Sequence, residues 1–204
     1  IGFNKDVLEV GRGTGQLSLY FGIGTNNRVF ALDPTINSIN LGNEFSKKNK
    51  INNVKFVNAD IFDDVFNNRS FDFIWTNGVL HHTKNPSLAF DLISKYLKNN
   101  GYILLGLYNK YGRLRTLFRR ILYKIFGSTL IKILDPTLRN IKKGNDRQIE
   151  AWIRDQYEHP VESLHTLDEV LIWFKKNNIE FINSVPSCNF NDNKALNLFE
   201  KSSK

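Results

Sequence analysis

A cluster of glycines near the start of the chain has the spacing of a loop that holds a ligand against bare main chain. Residues 9–15 read Glu-Val-Gly-Arg-Gly-Thr-Gly, directly after an apolar run at 6–10 and before a helix predicted from residue 16. Glycine lets the backbone turn sharply and leaves no side chain between the ligand and the main chain. The free N–H groups at the start of the following helix favour an anion such as a carboxylate or a phosphate. The loop therefore predicts a binding site.

The spacing of the glycines narrows the class of ligand. The dinucleotide pattern is G-x-G-x-x-G, but three residues beyond Gly13 stands Gln16, and the chain has G-x-G-x-G instead. A Walker loop is excluded because no G-K-[ST] follows. Asp33 ends the next predicted strand, and an acidic residue at that place makes the loop much stronger evidence for cofactor binding.

The elements that must position this loop alternate along the chain. Helical spacing and capping signals predict helices that begin near residues 16, 36 and 86, the third closed by Asn99-Asn100-Gly101. A capping box at Thr166–Glu169 precedes a fourth helix, predicted over 170–176. Apolar runs predict six strands, at 6–10, 28–32, 54–58, 71–75, 102–108 and 179–185. A short polar link at 189–193 leads to a seventh at 196–200, which requires an antiparallel hairpin. We predict an α/β fold with a mostly parallel seven-stranded sheet, helices on both faces and the last strand antiparallel.

The segment after the fifth predicted strand interrupts this alternation and carries the net charge. The chain has a net charge of +8, and eleven basic against two acidic residues give +9 to the segment between Lys110 and Arg147. Apolar residues at 113–126 recur at i, i+3, i+4, i+7 and i+8, which predicts an amphipathic basic helix, and a second apolar stretch follows at 130–134. We predict one domain over residues 1–204 with a basic helical insertion, or lid, at 110–162.

Two interpretations of the basic helix stay open. In the favoured one, the apolar stripe packs on the domain and the arginines are solvated. In the other, residues 113–134 make peripheral contact with an anionic membrane or bind an acidic substrate. In both, the positive charge should attract an anionic acceptor.

Several motifs in fixed order resemble the class I S-adenosylmethionine-dependent methyltransferases, in particular their small methyltransferase-domain members. They are the glycine loop, Ala31-Leu-Asp33, Asn58-Ala-Asp60-Ile61, FDFIWTNGVLHH at 71–82, and Leu97-Lys-Asn-Asn-Gly101. Arg12 stands where the family usually has cysteine. The resemblance implies a Rossmann-like fold with a closing hairpin and S-adenosylmethionine as cofactor. Because the chain begins at Ile1 and contains no methionine, we expect it to lack its native start.

The resemblance also implies which residues bind the cofactor. The glycine loop would surround the methionine part of the cofactor, with Glu9 facing its ammonium group. Asp33 would accept hydrogen bonds from both ribose hydroxyls, since a carboxylate can accept from two O–H donors. Alternatively, Asp33 is a turn residue before Pro34, and Asp60 caps a turn. Asp60 and Ile61 would contact the adenine, and Asn77 and Gly78 would line the methionine end. The full set of implied cofactor residues is Glu9, Gly11, Gly13, Gly15, Asp33, Asp60, Ile61, Asn77 and Gly78.

Three residues are candidates for the acceptor side. His82 follows the fourth predicted strand and is either a structural loop histidine or a general base. Tyr157 and His159 belong to a stretch that contributes to the acceptor pocket in similar methyltransferases, the alternative being a hydrogen-bonded loop anchored by Pro160. No metal is expected, because methyl transfer from a sulfonium needs none and the four histidines form no ligand cluster.

The sequence thus predicts a methyltransferase that acts on a small-molecule, sugar or lipid-linked acceptor. An RNA methyltransferase and a binding protein with a degenerate cofactor site stay open as alternatives, and a dehydrogenase is a distant one. RNA is disfavoured because no separate RNA-binding module or N-P-P-Y-type motif is present, and no DNA partner is expected. One cysteine and no signal peptide indicate a reducing compartment, and we expect a cytoplasmic protein, with membrane contact through 113–134 left open.

Overall fold

A parallel sheet forms the centre of the fold. The structure, a computed structural model, describes residues 2–11, 15–141, 146–158 and 162–186. The sheet has five strands in the order β3-β2-β1-β4-β5, and each neighbouring pair is parallel. The strands are β1 (Asp6–Val10), β2 (Arg28–Asp33), β3 (Val54–Asn58), β4 (Phe71–Asn77) and β5 (Leu97–Gly106). The predicted α/β fold with a parallel sheet is confirmed.

Helices connect the strands and continue beyond them. They are α1 (Gln16–Gly22), α2 (Ile36–Lys48), α3 (Pro86–Lys95), α4 (Leu114–Leu134), α5 (Pro136–Asn140), α6 (Asp146–Ile153) and α7 (Leu167–Lys176), with a 3-10 turn at Leu80–His82 and a π-type turn at Arg154–Glu158. Asn85 caps α3 by accepting a hydrogen bond from the Leu88 N–H, and Thr166 caps α7 in the same way. Both caps lie where the sequence predicts them. However, α3 ends at Lys95, before the predicted close at 99–101, because the chain enters β5 directly.

Helices cover both faces of the sheet, as its central strands require. Val7 and Leu8 are both fully buried but belong to different apolar clusters, since neighbouring residues of a strand point to opposite faces. Leu8 packs in the larger cluster with Phe90 of α3 and Trp173 of α7. This burial on both faces explains why the strands read as continuous apolar runs.

The predicted count of seven strands is not matched. Residues 179–185, predicted as the sixth strand, pair with no strand in the described part of the chain. A strand needs a partner for its backbone hydrogen bonds, and the partner predicted for it, 196–200, lies outside the described residues. A groove of about 1500 Å³ separates this segment from β5. The single-domain prediction for residues 1–204 stays a prediction.

Helices α4 to α6 lie within the segment predicted as an insertion, and they have a small core of their own. This core contains Ile131, Leu138, Ile153 and Tyr157. Helix α4 bends at Gly127, whose φ of 71° lies in the left-handed region. Within the described residues, the structure has no helix long and apolar enough to cross a membrane.

Most of the predicted apolar stripe does not pack on the domain, although Leu117 and Leu122 are half-buried and Leu122 contacts the small core of the insertion. Leu114, Phe118, Ile121 and Ile125 are each more than half exposed. The physical reason is that another side of α4 faces the rest of the chain, where Arg113 and Arg120 form ion pairs with Glu162.

Candidate active site

The parallel register brings most of the predicted cofactor residues to one edge of the sheet. Glu9 of β1 lies beside Ala31 of β2 and Trp75 of β4, and Asp33 lies beside Asn58 of β3. The carboxyl ends of β1, β2 and β4 are therefore adjacent, at the edge where open α/β sheets bind ligands.

Two glycines on this edge have conformations that other residues rarely adopt. Gly11 has a φ of 68°, and its N–H donates to the Leu32 carbonyl at 2.9 Å. A Cβ at this position would lie 2.6 Å from Cγ1 of Val79 and closer still to Cγ2, so the site admits only glycine. Gly78 has a φ of 78° and donates to the Gly106 carbonyl, but a Cβ there would meet only open space. Gly78 thus leaves main chain uncovered at the end of β4.

The other loop glycines are described only in part. Gly15 precedes α1 with a φ of 74°. Gly13 lies outside the described residues.

Two buried carboxylates flank the glycines. Glu9 is 5% exposed and accepts a hydrogen bond from the Ser18 hydroxyl. Asp33 is 6% exposed, and its Oδ1 accepts from the Thr35 N–H at 2.8 Å. Asp33 therefore has the hydrogen bond that the turn interpretation predicts. It is compatible with ligand binding, because a carboxylate has about four acceptor positions.

The predicted adenine residues lie after β3. Asp60 is exposed and its Oδ1 accepts from the Phe62 N–H at 3.0 Å, so it caps a turn. Ile61 is buried in the main core. Their roles toward adenine stay predictions.

Four side chains stack next to the end of β4, and we call them the ring stack. The guanidinium of Arg113 lies 3.8 Å from the Tyr108 ring centre, and this ring lies 3.9 Å from that of His81. His81 is fully buried, and the His82 ring lies 4.1 Å from it. The Ser163 N–H donates to the His81 carbonyl. The ring stack therefore connects the insertion to the loop that carries His82, and a general-base role for His82 stays a prediction.

The structure places Tyr157 in the core of the insertion. Its hydroxyl donates to Oδ2 of Asp135 at 2.6 Å, and the Trp152 indole N–H donates to the same oxygen at 2.9 Å. Burial and the Asp135 carboxylate raise the pKa of Tyr157 to about 12. Burial alone would raise the pKa of Asp135, but the hydrogen bonds from Tyr157, Trp152 and the Thr137 N–H hold it below its ordinary value. These contacts favour a structural role for Tyr157. His159 lies outside the described residues.

Replacing Tyr157 with phenylalanine should make the free energy of unfolding less dependent on pH above pH 10. In the folded chain the phenol stays protonated up to about pH 12, whereas unfolded tyrosine ionises near pH 10. Its stabilisation is therefore complete below pH 10 and is lost as the pH rises to about 12. Denaturant unfolding at several pH values should show a loss of about 1–2 kcal/mol at neutral pH and a shallower decline above pH 10. Tyr20→Phe, at a position 74% exposed, is the control, and equal slopes would refute the assignment.

Glu162 is a buried carboxylate beside the ring stack that the sequence reasoning missed. It accepts hydrogen bonds from Arg113 at 2.9 Å and from Arg120 at 3.1 Å, although its side chain is only 3% exposed. Its one sequence signal is its place as an acidic residue soon after a long basic segment.

A sequence model of the family described as "Methyltransferase domain" matches residues 2–162. The chain therefore belongs to this family and has the fold of the class I S-adenosylmethionine-dependent methyltransferases. It is 29% identical over 108 residues to the uncharacterized protein YbxB of Bacillus subtilis (strain 168), covering 52% of this chain and 54% of that protein. The chain thus spans about half the length of this curated relative.

Solved structures share the fold. PKMT2 from Rickettsia typhi matches with a TM-score of 0.70 and 18% identity over 85% of this chain and 38% of that one. A putative methyltransferase from Bacillus halodurans matches with a TM-score of 0.59 and 17% identity over 87% and 63%. YcgJ from Bacillus subtilis matches with a TM-score of 0.58 and 20% identity over 85% and 61%.

Proposed function

We propose that this chain transfers a methyl group from S-adenosylmethionine to an anionic small-molecule, sugar or lipid-linked acceptor. The observation that carries the proposal is the glycine-only position at Gly11 beside the buried carboxylate of Asp33. As part of the proposal, the protein acts in the cytoplasm.

The residues at this edge fit the cofactor. Gly11 and Gly78 present main chain without side chains, and Asp33 offers carboxylate oxygens to ribose hydroxyls. Glu9 would supply negative charge to the cofactor's ammonium group. When bound, the cofactor supplies an electrophilic methyl carbon on a cationic sulfur. The chain itself must align the acceptor, exclude water and accept any proton that the acceptor releases.

His82 is the proposed proton acceptor. It is half-buried, lies at one end of the ring stack, and ends the 3-10 turn that follows Gly78 and Val79. Packing against His81 fixes its ring, which reduces the freedom that a general base must lose during the reaction.

The charge of the insertion supports an anionic acceptor. Arg113 and Arg120 are balanced by Glu162, but Lys110 and Arg115 are exposed close after β5. Exposed positive charge near a cleft raises the local concentration of anions. The same positive charge would also attract RNA, but none of the described elements forms a separate RNA-binding module.

Calorimetric titration with S-adenosylmethionine tests the proposal. We expect the wild-type chain to bind, and Asp33→Ala to bind at least about tenfold more weakly, since two hydrogen bonds to a charged group are lost. Asp33→Asn retains an acceptor for the Thr35 N–H and separates the turn from the ligand contact. Asp168→Ala, on the exposed face of α7, is the control.

Each outcome decides between functions. No binding by the wild-type chain would refute the methyltransferase proposal and favour a binding protein with a degenerate site. Unchanged affinity of Asp33→Ala would refute the ribose assignment, and binding of NAD instead would favour a dehydrogenase.

A further inference from the structure

A line of apolar side chains runs along the outward side of α4. Leu114, Phe118, Ile121 and Ile125 are 56%, 62%, 56% and 65% exposed, and their spacing of i, i+4, i+7 and i+11 places them on one stripe of the helix. We call these four residues the outer stripe. Phe126 and Ile133, further along α4, are exposed to a similar degree. An apolar surface this continuous is unusual on a protein that is surrounded only by water.

The contacts on the opposite side of α4 explain this orientation. Arg120 forms an ion pair with Glu162, and the Tyr123 hydroxyl donates to Glu158 while its ring packs near Tyr157. These polar contacts hold the helix with its outer stripe away from the sheet. These contacts, together with the packing of Leu122 and Ile131 in the small core of the insertion, orient the helix and leave the outer stripe exposed.

Basic residues flank the outer stripe on both sides. At about 100° per residue, Arg115 and Lys124 project about 90° to either side of it, and both are exposed. The whole of α4 contains five basic and no acidic residues. An apolar line with a basic residue on each side is typical of a helix that lies in the plane of an anionic membrane, with its apolar side in the acyl boundary and its cations at the headgroups.

We propose that α4 docks this protein on anionic lipid bilayers through the outer stripe. The bend at Gly127 leaves an apolar groove of about 460 Å³ beside the stripe, lined by Leu114, Arg115, Phe118, Arg119, Leu122 and Leu134. A second copy of the chain is a poorer occupant. A two-fold contact between outer stripes would bring Arg115 and Lys124 of both copies close together, and α4 has no acidic residue to balance their charge. The proposal does not depend on methyl transfer.

Vesicle flotation tests this proposal with the full chain. The chain should float with phosphatidylserine–phosphatidylcholine vesicles, and at least about tenfold less with pure phosphatidylcholine, because several lysine and arginine contacts are lost. Phe118→Ser with Ile121→Ser should reduce flotation about tenfold without changing the charge. Arg115→Gln with Lys124→Gln should reduce it and weaken its salt dependence.

Matched controls separate the surface from general effects. Leu41→Ser with Ile172→Ser removes apolar residues that are 60% and 67% exposed on other helices, and should leave flotation unchanged. Lys47→Gln with Lys48→Gln removes two positive charges from α2 and should also leave flotation unchanged. All substitutions are at exposed positions, and circular dichroism checks that each variant folds.

Three results would overturn the proposal. They are no flotation with anionic vesicles, equal flotation with both kinds of vesicle, and a dimer in gel filtration that the Phe118 and Ile121 substitutions dissociate.

Discussion

Gly11→Ala is expected to destabilise the chain by about 2–5 kcal/mol and to abolish binding of S-adenosylmethionine. The left-handed backbone costs a residue with a Cβ about 1–2 kcal/mol, and overpacking against Val79 adds about 1–3 kcal/mol. The Cβ would lie 2.6 Å or less from two methyl carbons of a side chain packed against the main core, so the loop must shift to admit it. A shifted loop no longer presents its main chain at the ends of β1 and β4.

Two further variants divide this cost into its parts. Gly24 has nearly the same φ, 67°, but a Cβ there meets nothing within 4 Å, so Gly24→Ala should show the backbone cost alone. Combining Gly11→Ala with Val79→Ala should remove most of the clash and recover part of the stability. Denaturant unfolding and calorimetric titration are the measurements. A Gly11→Ala chain as stable as Gly24→Ala would contradict the packing argument.

The sequence was sufficient for the strands and for the edge on which the site lies, because both are marked by local signals. Apolar runs identify buried strands, and parallel strands bring their carboxyl ends together whatever the loops do. Val79 across Gly11 was not predictable, because that contact joins residues far apart in the chain. The run at 179–185 shows the opposite limit, since a segment with the composition of a strand forms one only beside a partner.

The orientation of α4 shows why the insertion was harder to predict. Helical spacing tells which residues share a face but not which face is buried. Here the face that contains Arg120 is turned inward, and the ion-pair partner of Arg120 is Glu162, which lies 42 residues further along the chain. The amphipathic spacing was therefore visible in the sequence, but the side of α4 that faces the rest of the chain was not, because its contacts come from residues far away in the sequence.

Removing that carboxylate is expected to cost about 3 kcal/mol of stability. Glu162→Ala would leave Arg113 and Arg120, whose side chains are only 12% and 18% exposed, without their common counter-charge. Breaking a buried ion pair from one side costs about 3–5 kcal/mol. The lower end applies here, because Arg113 keeps its contact with the Tyr108 ring and a 2.6 Å hydrogen bond to Gln156.

The loss should fall on the insertion and spare the cofactor edge. Lys176→Ala, which breaks an ion pair whose lysine is 63% exposed, is the control and should cost less than about 1 kcal/mol. Glu162→Gln should lie between the two, since it retains an acceptor but no charge. Affinity for S-adenosylmethionine should stay within about threefold of wild type, because Gly11 and Asp33 are positioned by β1 and β2. If Glu162→Ala were no less stable than Lys176→Ala, the carboxylate would not hold α4 in place, and the outward direction of its apolar stripe would need another cause.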